Sequence, residues 1–194
     1  MSNLTESELR ELGLVSFGHD VCIDRSARIF GAADVSIGSH VRIDCFTVIT
    51  AGPGAVVIGD HVHLSVGVCL FGTAGVEIGD FAGLAARVSV YSTTDDFVSG
   101  HLTGPTVPAE LRHVHAARVL VGPHALVGTG SVILPGVKLG HGAAVGALSL
   151  VRSDIADGEV AAGVPARCVG RRNLERLGRL EARVRESGGR LTPE

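Results

Sequence analysis

Residues 121–151 read VGPHALVGTGSVILPGVKLGHGAAVGALSLV and repeat every six residues without a slip. Val121, Val127, Ile133, Leu139, Val145 and Val151 are all branched aliphatics. Four positions after the first five stand Ala125, Ser131, Val137, Ala143 and Ser149, mostly small. Gly122, Gly128, Gly140 and Gly146 directly follow four of the aliphatics. A helix spaces its apolar residues by three and four, and a half-buried strand spaces them by two. A period of six fits neither. It describes a short strand and a sharp turn in alternation, the signature of a parallel β-helix solenoid.

The same register runs earlier in the chain. Ile23 and Ile29 begin it, Ile37, Ile43 and Ile49 continue it, and Ile58, Leu64 and Leu70 resume it after Gly52-Pro53-Gly54. Ile78, Leu84 and Val90 follow. Three hexads close one triangular turn, so Val121 should stack on Leu139 and Val127 on Val145. Repeats over residues 21–90 and 118–155 make about six coils. The aliphatic fills the prism, the small residue lets the corner close, and glycine is expected at turns that need a positive φ. Composition agrees: 45% hydrophobic but 4% aromatic, with 27 glycines and no tryptophan. A narrow interior takes Val, Ile, Leu and Ala more readily than rings.

A solenoid is stabilised repeat by repeat, and its end coils need caps because open sheet edges pair with other chains. Thr5-Glu6-Ser7-Glu8 has the form of a capping box, and Leu9, Leu12 and Leu14 give the following helix an apolar side. Leu174, Leu177, Leu180 and Val184 fall at helical spacing near the other end, with Gly188-Gly189 as a stop and a frayed tail over 190–194. The expected organisation is one all-β unit. A helical cap covers 1–20, the β-helix 21–167 with an excursion at 91–117, and a C-terminal helix and tail 168–194.

The net charge of −3 gives no general attraction to nucleic acid. No apolar run reaches the length of a membrane span, and the N-terminus lacks a signal-peptide pattern. Cys22, Cys45, Cys69 and Cys168 are far apart and read as buried thiols, so a reducing cytoplasm is the expected compartment.

Between Tyr91 and Arg118 the register is lost. YSTTDDFVSGHLTGPTVPAELRHVHAAR is too long for a turn, and long loops in compact folds are usually functional or disordered. It reads as an arm that leaves the prism and folds over a neighbouring surface. The prism ends at Ala162-Gly163-Val164-Pro165-Ala166-Arg167, followed by Arg171, Arg172, Arg176, Arg179, Arg183 and Arg185. A solvated helix face explains most of these arginines, and those nearest the coil are suited to phosphates.

With hexads, excursion and AGVPAR terminus, the chain resembles the left-handed β-helix acyltransferases of the hexapeptide-repeat superfamily. TTDDFVSGHLTGPTVP and GSVILPGVKLGHGAAVGALSLV are particularly similar to the dTDP-4-amino-4,6-dideoxyglucose acyltransferases. The resemblance covers about residues 20–172. It implies left-handed coils, against the usual crossover rule, and a homotrimer with CoA in the groove between prisms. It implies acetyl-CoA as co-substrate, no metal, and a nucleotide-linked amino sugar entering under the excursion. O-acetylation of a free sugar is the alternative activity.

Residues carry over from the resemblance as follows. Thr129, Ala147, Arg152 and Ser153 match positions whose coils line the pantetheine, and Arg167 matches an arginine at the nucleotide end of CoA. A second arginine position falls on Gly170, and Arg171 beside it is the candidate. Sugar O-acetyltransferases place a histidine at the start of the excursion, where this chain has Thr94-Asp95. That departure favours an amine acceptor, which needs less help from a base than a hydroxyl does. His63 precedes Leu64 and should point outward, which makes it the candidate base. Asp95 and Asp96 are candidates to hold the ammonium. Tyr91, His113 and His115 are candidates to line the acceptor pocket, whereas His19, His40, His124 and His141 read as turn or surface residues.

Two other classes use this architecture. A zinc carbonic anhydrase would need converging ligands, with His61-x-His63 and His113-x-His115 as the tempting pairs. A non-catalytic scaffold would need neither the AGVPAR terminus nor the arm.

Overall fold

A computed structural model describes residues 2–186; Gly188-Gly189 and the tail beyond lie outside the described residues. Helix α1 (Glu6–Glu11) opens the chain with the expected capping box, Thr5 to the Glu8 amide and Glu8 back to the Thr5 amide. Coil one is β1 (Ser16–Phe17), β2 (Cys22–Ile23) and β3 (Arg28–Phe30). Coil two is β4 (Val35–Ile37), β5 (Arg42–Ile43) and β6 (Val48–Ala51). Coil three is β7 (Val56–Ile58), β8 (His63–Leu64) and β9 (Cys69–Gly72). Coil four is β10 (Val76–Ile78), β11 (Gly83–Leu84) and β12 (Ser89–Tyr91).

The excursion then contributes β13 (Thr93–Asp95) and β14 (Val114–Ala116), paired antiparallel only with each other. Coil five is β15 (Val119–Val121), β16 (Leu126–Val127) and β17 (Val132–Ile133), and coil six is β18 (Lys138–Leu139), β19 (Ala144–Val145) and β20 (Leu150–Val151). A partial seventh coil bridges Ile155 to Leu139 and adds β21 (Glu159–Gly163), against which β22 (Ala166–Arg171) runs antiparallel. Helix α2 (Leu174–Glu186) closes the described chain.

The strands form three parallel faces. Val121 pairs with Leu139, Val127 with Val145 and Ile133 with Val151, as the six-residue period requires. Within each strand alternate residues face in and out, so Ile58, Leu64 and Leu70 are buried while their neighbours are not. Fully burying such a side chain is worth about 1.5–3 kcal/mol. The small slot is buried too. Ser131 and Ser149 sit inside and stitch coils five to seven: Ser131 Oγ donates to the Gly146 carbonyl at 2.9 Å, and Ser149 Oγ accepts from the Gly163 amide at 3.0 Å.

Corner one joins face one to face two, corner two joins face two to face three, and corner three returns to face one. Glycine takes the positive-φ place at some corners, as expected (Gly67, Gly130 and Gly142), but at others a residue with a side chain does. Gly122 and Gly128 do not have positive φ; His40, Phe46, His61, Phe81, Arg87, His124 and Leu148 do. The hexad glycines are needed for clearance instead. A Cβ on Gly128 would stand 2.5 Å from the Ala147 amide nitrogen, and one on Gly122 2.7 Å from the Leu139 carbonyl. Left-handed backbone at a bulky residue costs about 1–2 kcal/mol, and here it aims successive rings along corner one. Adjacent strands lie about 4.8 Å apart, so the rings stack: His40 on His61 at 4.5 Å, His61 on Phe81 at 4.5 Å and Phe81 on His124 at 5.0 Å. His40 and His124 are therefore buried, not surface residues.

Helix α2 folds back over this ladder. Glu181 meets His124 Nε2 at 2.7 Å, Arg185 stacks on Phe81 at 5.1 Å and reaches Asp80 at 3.3 Å, and Arg172 donates to the His124 carbonyl. Much of the basic cluster is thus structural. Cys22, Cys45 and Cys69 are partly buried, Cys168 is exposed contrary to the sequence expectation, and all four are free thiols. Among the described residues, no helix is long and apolar enough to cross a membrane.

Candidate active site

On face two the outward positions Arg42, His63, Gly83 and Leu126 lie in one row, each on a successive coil. His63 points outward, as its place before the buried Leu64 demands, with half its side chain exposed. Its Nε2 lies 2.9 Å from Asp44 Oδ2, and Arg42 Nε donates to Asp44 Oδ1 at 2.8 Å. Asp44 is buried at the start of corner two. Burial pushes its carboxyl up, but the hydrogen bonds from Arg42 and His63 outweigh that, and it stays below the usual range. An ionised carboxylate only accepts, so His63 carries its proton on Nε2 and presents a basic Nδ1. This carboxylate–imidazole pair escaped the sequence reading because Asp44 and His63 belong to different coils. The in-register repeat is the signal that relates Arg42 to His63.

Beyond His63 the row opens. A Cβ on Gly83 would meet only Leu126 Cδ1, at 3.6 Å, so the face carries a shallow gap beside the imidazole.

The second group sits on the excursion hairpin. Thr94 pairs with His115 and Asp95 with Val114. The half-buried Asp95 carboxylate has no hydrogen bond or ion pair among the described residues, and His113 and His115 are exposed. Asp96 has a different task from its neighbour. Its oxygens accept from the Val98 and Ser99 amides at 2.9 Å and from His101 Nδ1 at 2.7 Å. Led by the Ser99 amide, these bonds hold its carboxyl far below the usual range. Asp96 shapes the loop and has little left to offer an ammonium. Tyr91 stacks on Phe71 at 4.8 Å at the hairpin's foot. Phe97 and Val98, at the turn that Asp96 builds, are almost fully exposed.

The CoA candidates are spread over the C-terminal coils. Thr129 and Ala147 are exposed at corner two of successive coils, and the Thr129 carbonyl accepts from the Leu148 amide at 2.8 Å. Arg152 and Ser153 are exposed at corner three. Arg167 lies on β22 with Nη1 on the neighbouring Ala166 carbonyl, and Arg171 pairs across to Glu159. Candidate base, hairpin and CoA end occupy separate elements of the chain: β8, the two-stranded excursion, and coils five to seven. The tempting zinc pairs do not converge: His61 is in the corner-one stack and His63 on Asp44, while His113 packs near His101 at 5.5 Å.

No family model matches the chain. The dTDP-4-amino-4,6-dideoxy-D-glucose acyltransferase of Escherichia coli is 38% identical over 177 residues, 91% of this chain and 92% of that one. The N-acyltransferase AntD of Bacillus cereus, solved as a serine-to-cysteine variant with dTDP-4-amino-4,6-dideoxyglucose and coenzyme A, superposes with a TM-score of 0.92 at 35% identity. The match covers 96% of this chain and 98% of AntD. AntD with dTDP and 3-hydroxybutyryl-CoA also gives 0.92 at 35% identity, over 97% and 99% of the two chains. The solenoid of about seven turns with two short helices matches a left-handed β-helix acyltransferase fold. With that likeness spanning almost the whole of both chains, this protein belongs to the hexapeptide-repeat acyltransferases, in the family of the dTDP-4-amino-4,6-dideoxyglucose acyltransferase.

Proposed function

We propose that the protein transfers an acyl group from coenzyme A to the amino group of a dTDP-linked 4-amino-4,6-dideoxy sugar. The observation that carries this is the near-complete match to AntD, which holds that sugar nucleotide and coenzyme A. Acetyl-CoA is the first candidate donor, and 3-hydroxybutyryl-CoA, bound by AntD, is the second. The product would enter surface polysaccharide or glycoside assembly in the cytoplasm, where the four free thiols remain reduced.

The chemistry follows from the two charged groups. Asp95 receives the sugar ammonium. His63 Nδ1 takes one ammonium proton, and the nitrogen lone pair so freed attacks the thioester carbonyl, forming the C–N bond. The oxyanion that develops is met by backbone N–H groups of the coils, where one well-aimed donor is worth roughly 3 kcal/mol. Collapse breaks the C–S bond; the departing CoA thiolate takes the second proton from the nitrogen, leaving a neutral amide and free CoA thiol, and His63 returns its proton to solvent. Histidine and hairpin belong to different elements, and the hairpin tip presents Phe97 and Val98 without cover. A homotrimer that lays one subunit's hairpin beside its neighbour's face two would complete the site, a closed cyclic assembly. Release of CoA thiol with a panel of acyl-CoAs and nucleotide sugars, with light scattering for mass, tests the proposal. Thiol release only with dTDP-amino sugars and a trimeric mass are expected. A monomer, or turnover confined to free sugars, overturns it.

A further inference from the structure

Corner one repeats a fixed chemistry that its first turn breaks. In coils two to five the left-handed position carries a ring: His40, His61, Phe81 and His124. The residue before it belongs to a capping series, in which Asp60 accepts from the Ser39 amide at 2.6 Å and Asp80 from the Asp60 amide at 2.9 Å. In coil one the two types are exchanged. His19 holds the capping position, and Asp20, with φ 54°, holds the ring position. A carboxylate therefore stands over His40 where the pattern would put another ring.

The exchange makes three ligating groups converge. Asp20 Oδ2 lies 3.2 Å from His40 Nδ1, and the His19 ring stands edge-on to His40 with centroids 4.6 Å apart. One ligand atom from each of the three residues lies within 4.8 Å of the other two. His40 Nδ1 is buried and has no hydrogen-bond partner among the described residues, because Asp20 approaches it off the direction such a bond needs. A buried polar atom left without a partner is costly, and an ion between imidazole and carboxylate would satisfy both.

We propose that His19, Asp20 and His40 form a divalent metal site of the zinc class at the N-terminal end of the solenoid. Two imidazoles and a carboxylate suit Zn²⁺ and its neighbours Co²⁺ and Ni²⁺ better than Ca²⁺ or Mg²⁺. Tetrahedral bonds of about 2.0–2.2 Å place ligand atoms about 3.3–3.6 Å apart. Asp20 and His40 are already close to that separation. His19 is exposed and needs only a side-chain movement. Its Nδ1 lies 3.0 Å from Ser39 Oγ, the kind of outer contact that orients a metal-bound imidazole and leaves the other nitrogen for the ion. A cleft of about 710 Å³ between α1 and the first coil, lined by His19 and Asp20 and by Leu9 and Arg10 opposite, gives entry and room for a water as fourth ligand. The ion would tie coil one to coil two at the end where stacking stops. The site is independent of the acyl-transfer chemistry.

The test uses the full chain stripped with EDTA and dialysed, then titrated with ZnCl₂ against a chromophoric zinc chelator. One equivalent per chain is expected, with a rise in melting temperature on addition of zinc. Asp20→Asn and His19→Ala change exposed side chains, and each should weaken zinc by about 10-fold or more and abolish the thermal gain. His141→Gln, at the far end of the same stack, should leave both unchanged. No stoichiometric binding, or undiminished binding in both Asp20→Asn and His19→Ala, overturns the proposal and leaves corner one a plain ladder of rings.

Discussion

Asp44 Oδ2 and His63 Nε2 stand 2.9 Å apart on neighbouring coils, and Arg42 Nε holds the other carboxylate oxygen at 2.8 Å. The pair fixes which imidazole nitrogen is basic. His63→Asn should keep the fold and both binding steps while kcat falls by about 10²–10⁴-fold, the usual range for a lost general base. Asp44→Asn should lower kcat by roughly 10²-fold with KM nearly unchanged, because an amide can turn its NH₂ toward the ring and reverse the tautomer. Steady-state kinetics of the two variants, with circular dichroism for the fold, decide it. Full activity in both would move the proton elsewhere, to water or to the departing thiolate.

Asp95 should act on binding rather than on the bound complex. Its carboxylate has no hydrogen bond or ion pair among the described residues. Asp95→Asn should raise KM for the amino sugar several-fold and leave KM for acyl-CoA alone. Asp96→Asn, by contrast, should loosen the loop it caps, detectable as faster proteolysis between residues 97 and 101. A dead Asp95→Asn beside a fully active His63→Asn would make the carboxylate the base.

Arg167 is exposed on β22, and its Nη1 donates to the neighbouring Ala166 carbonyl at 2.9 Å. A guanidinium matches phosphate geometry in a way that alanine cannot. Arg167→Ala should therefore raise KM for acyl-CoA several-fold at constant KM for the sugar. An unchanged CoA constant would separate this arginine from the cofactor.

The N-terminal cap should be sensitive to acid. Arg25 grips Glu8 with two hydrogen bonds of 2.6 and 2.7 Å, tying α1 to the first coil. Arg25 first, then the Thr5 amide, holds the Glu8 carboxyl at about 2 instead of 4.5. A carboxyl depressed in the folded state gives its full contribution above the ordinary value and loses it as pH falls through the folded one. The melting temperature should decline between 4.5 and about 2, and Glu8→Gln should show a smaller decline over the same interval. Identical slopes would mean the ion pair adds nothing.

The two helices are legible from the Thr5–Glu8 capping box and the leucines at helical spacing from Leu174. Faces and stacking register are legible because one period of six encodes them: an aliphatic at every sixth place can only be buried if the chain turns every sixth place. The same regularity hid the corners. His40, His61 and His124 look like ordinary turn residues along the chain, and only the 4.8 Å rise between coils turns them into a stack. The outward orientation of His63 is legible because it follows from one neighbour, the buried Leu64. The contact of Asp44 with His63 is not legible, because the two lie on different coils. Glycine is legible only in part for a related reason: Gly67, Gly130 and Gly142 do take positive φ, but the use of Gly122 and Gly128 is clearance from the coil beside them, a distance no single hexad contains.

The excursion is closed at its base. The Ala117 amide donates to the Ser92 carbonyl at 2.9 Å, while Val76 and Val119 pair across the gap as though nothing intervened. The arm is thus a cassette plugged into one socket of a ruler whose graduations continue undisturbed on either side. Hairpins of other lengths, transplanted between those two residues, should reprogramme the choice of acceptor while the rod that carries them keeps its melting point.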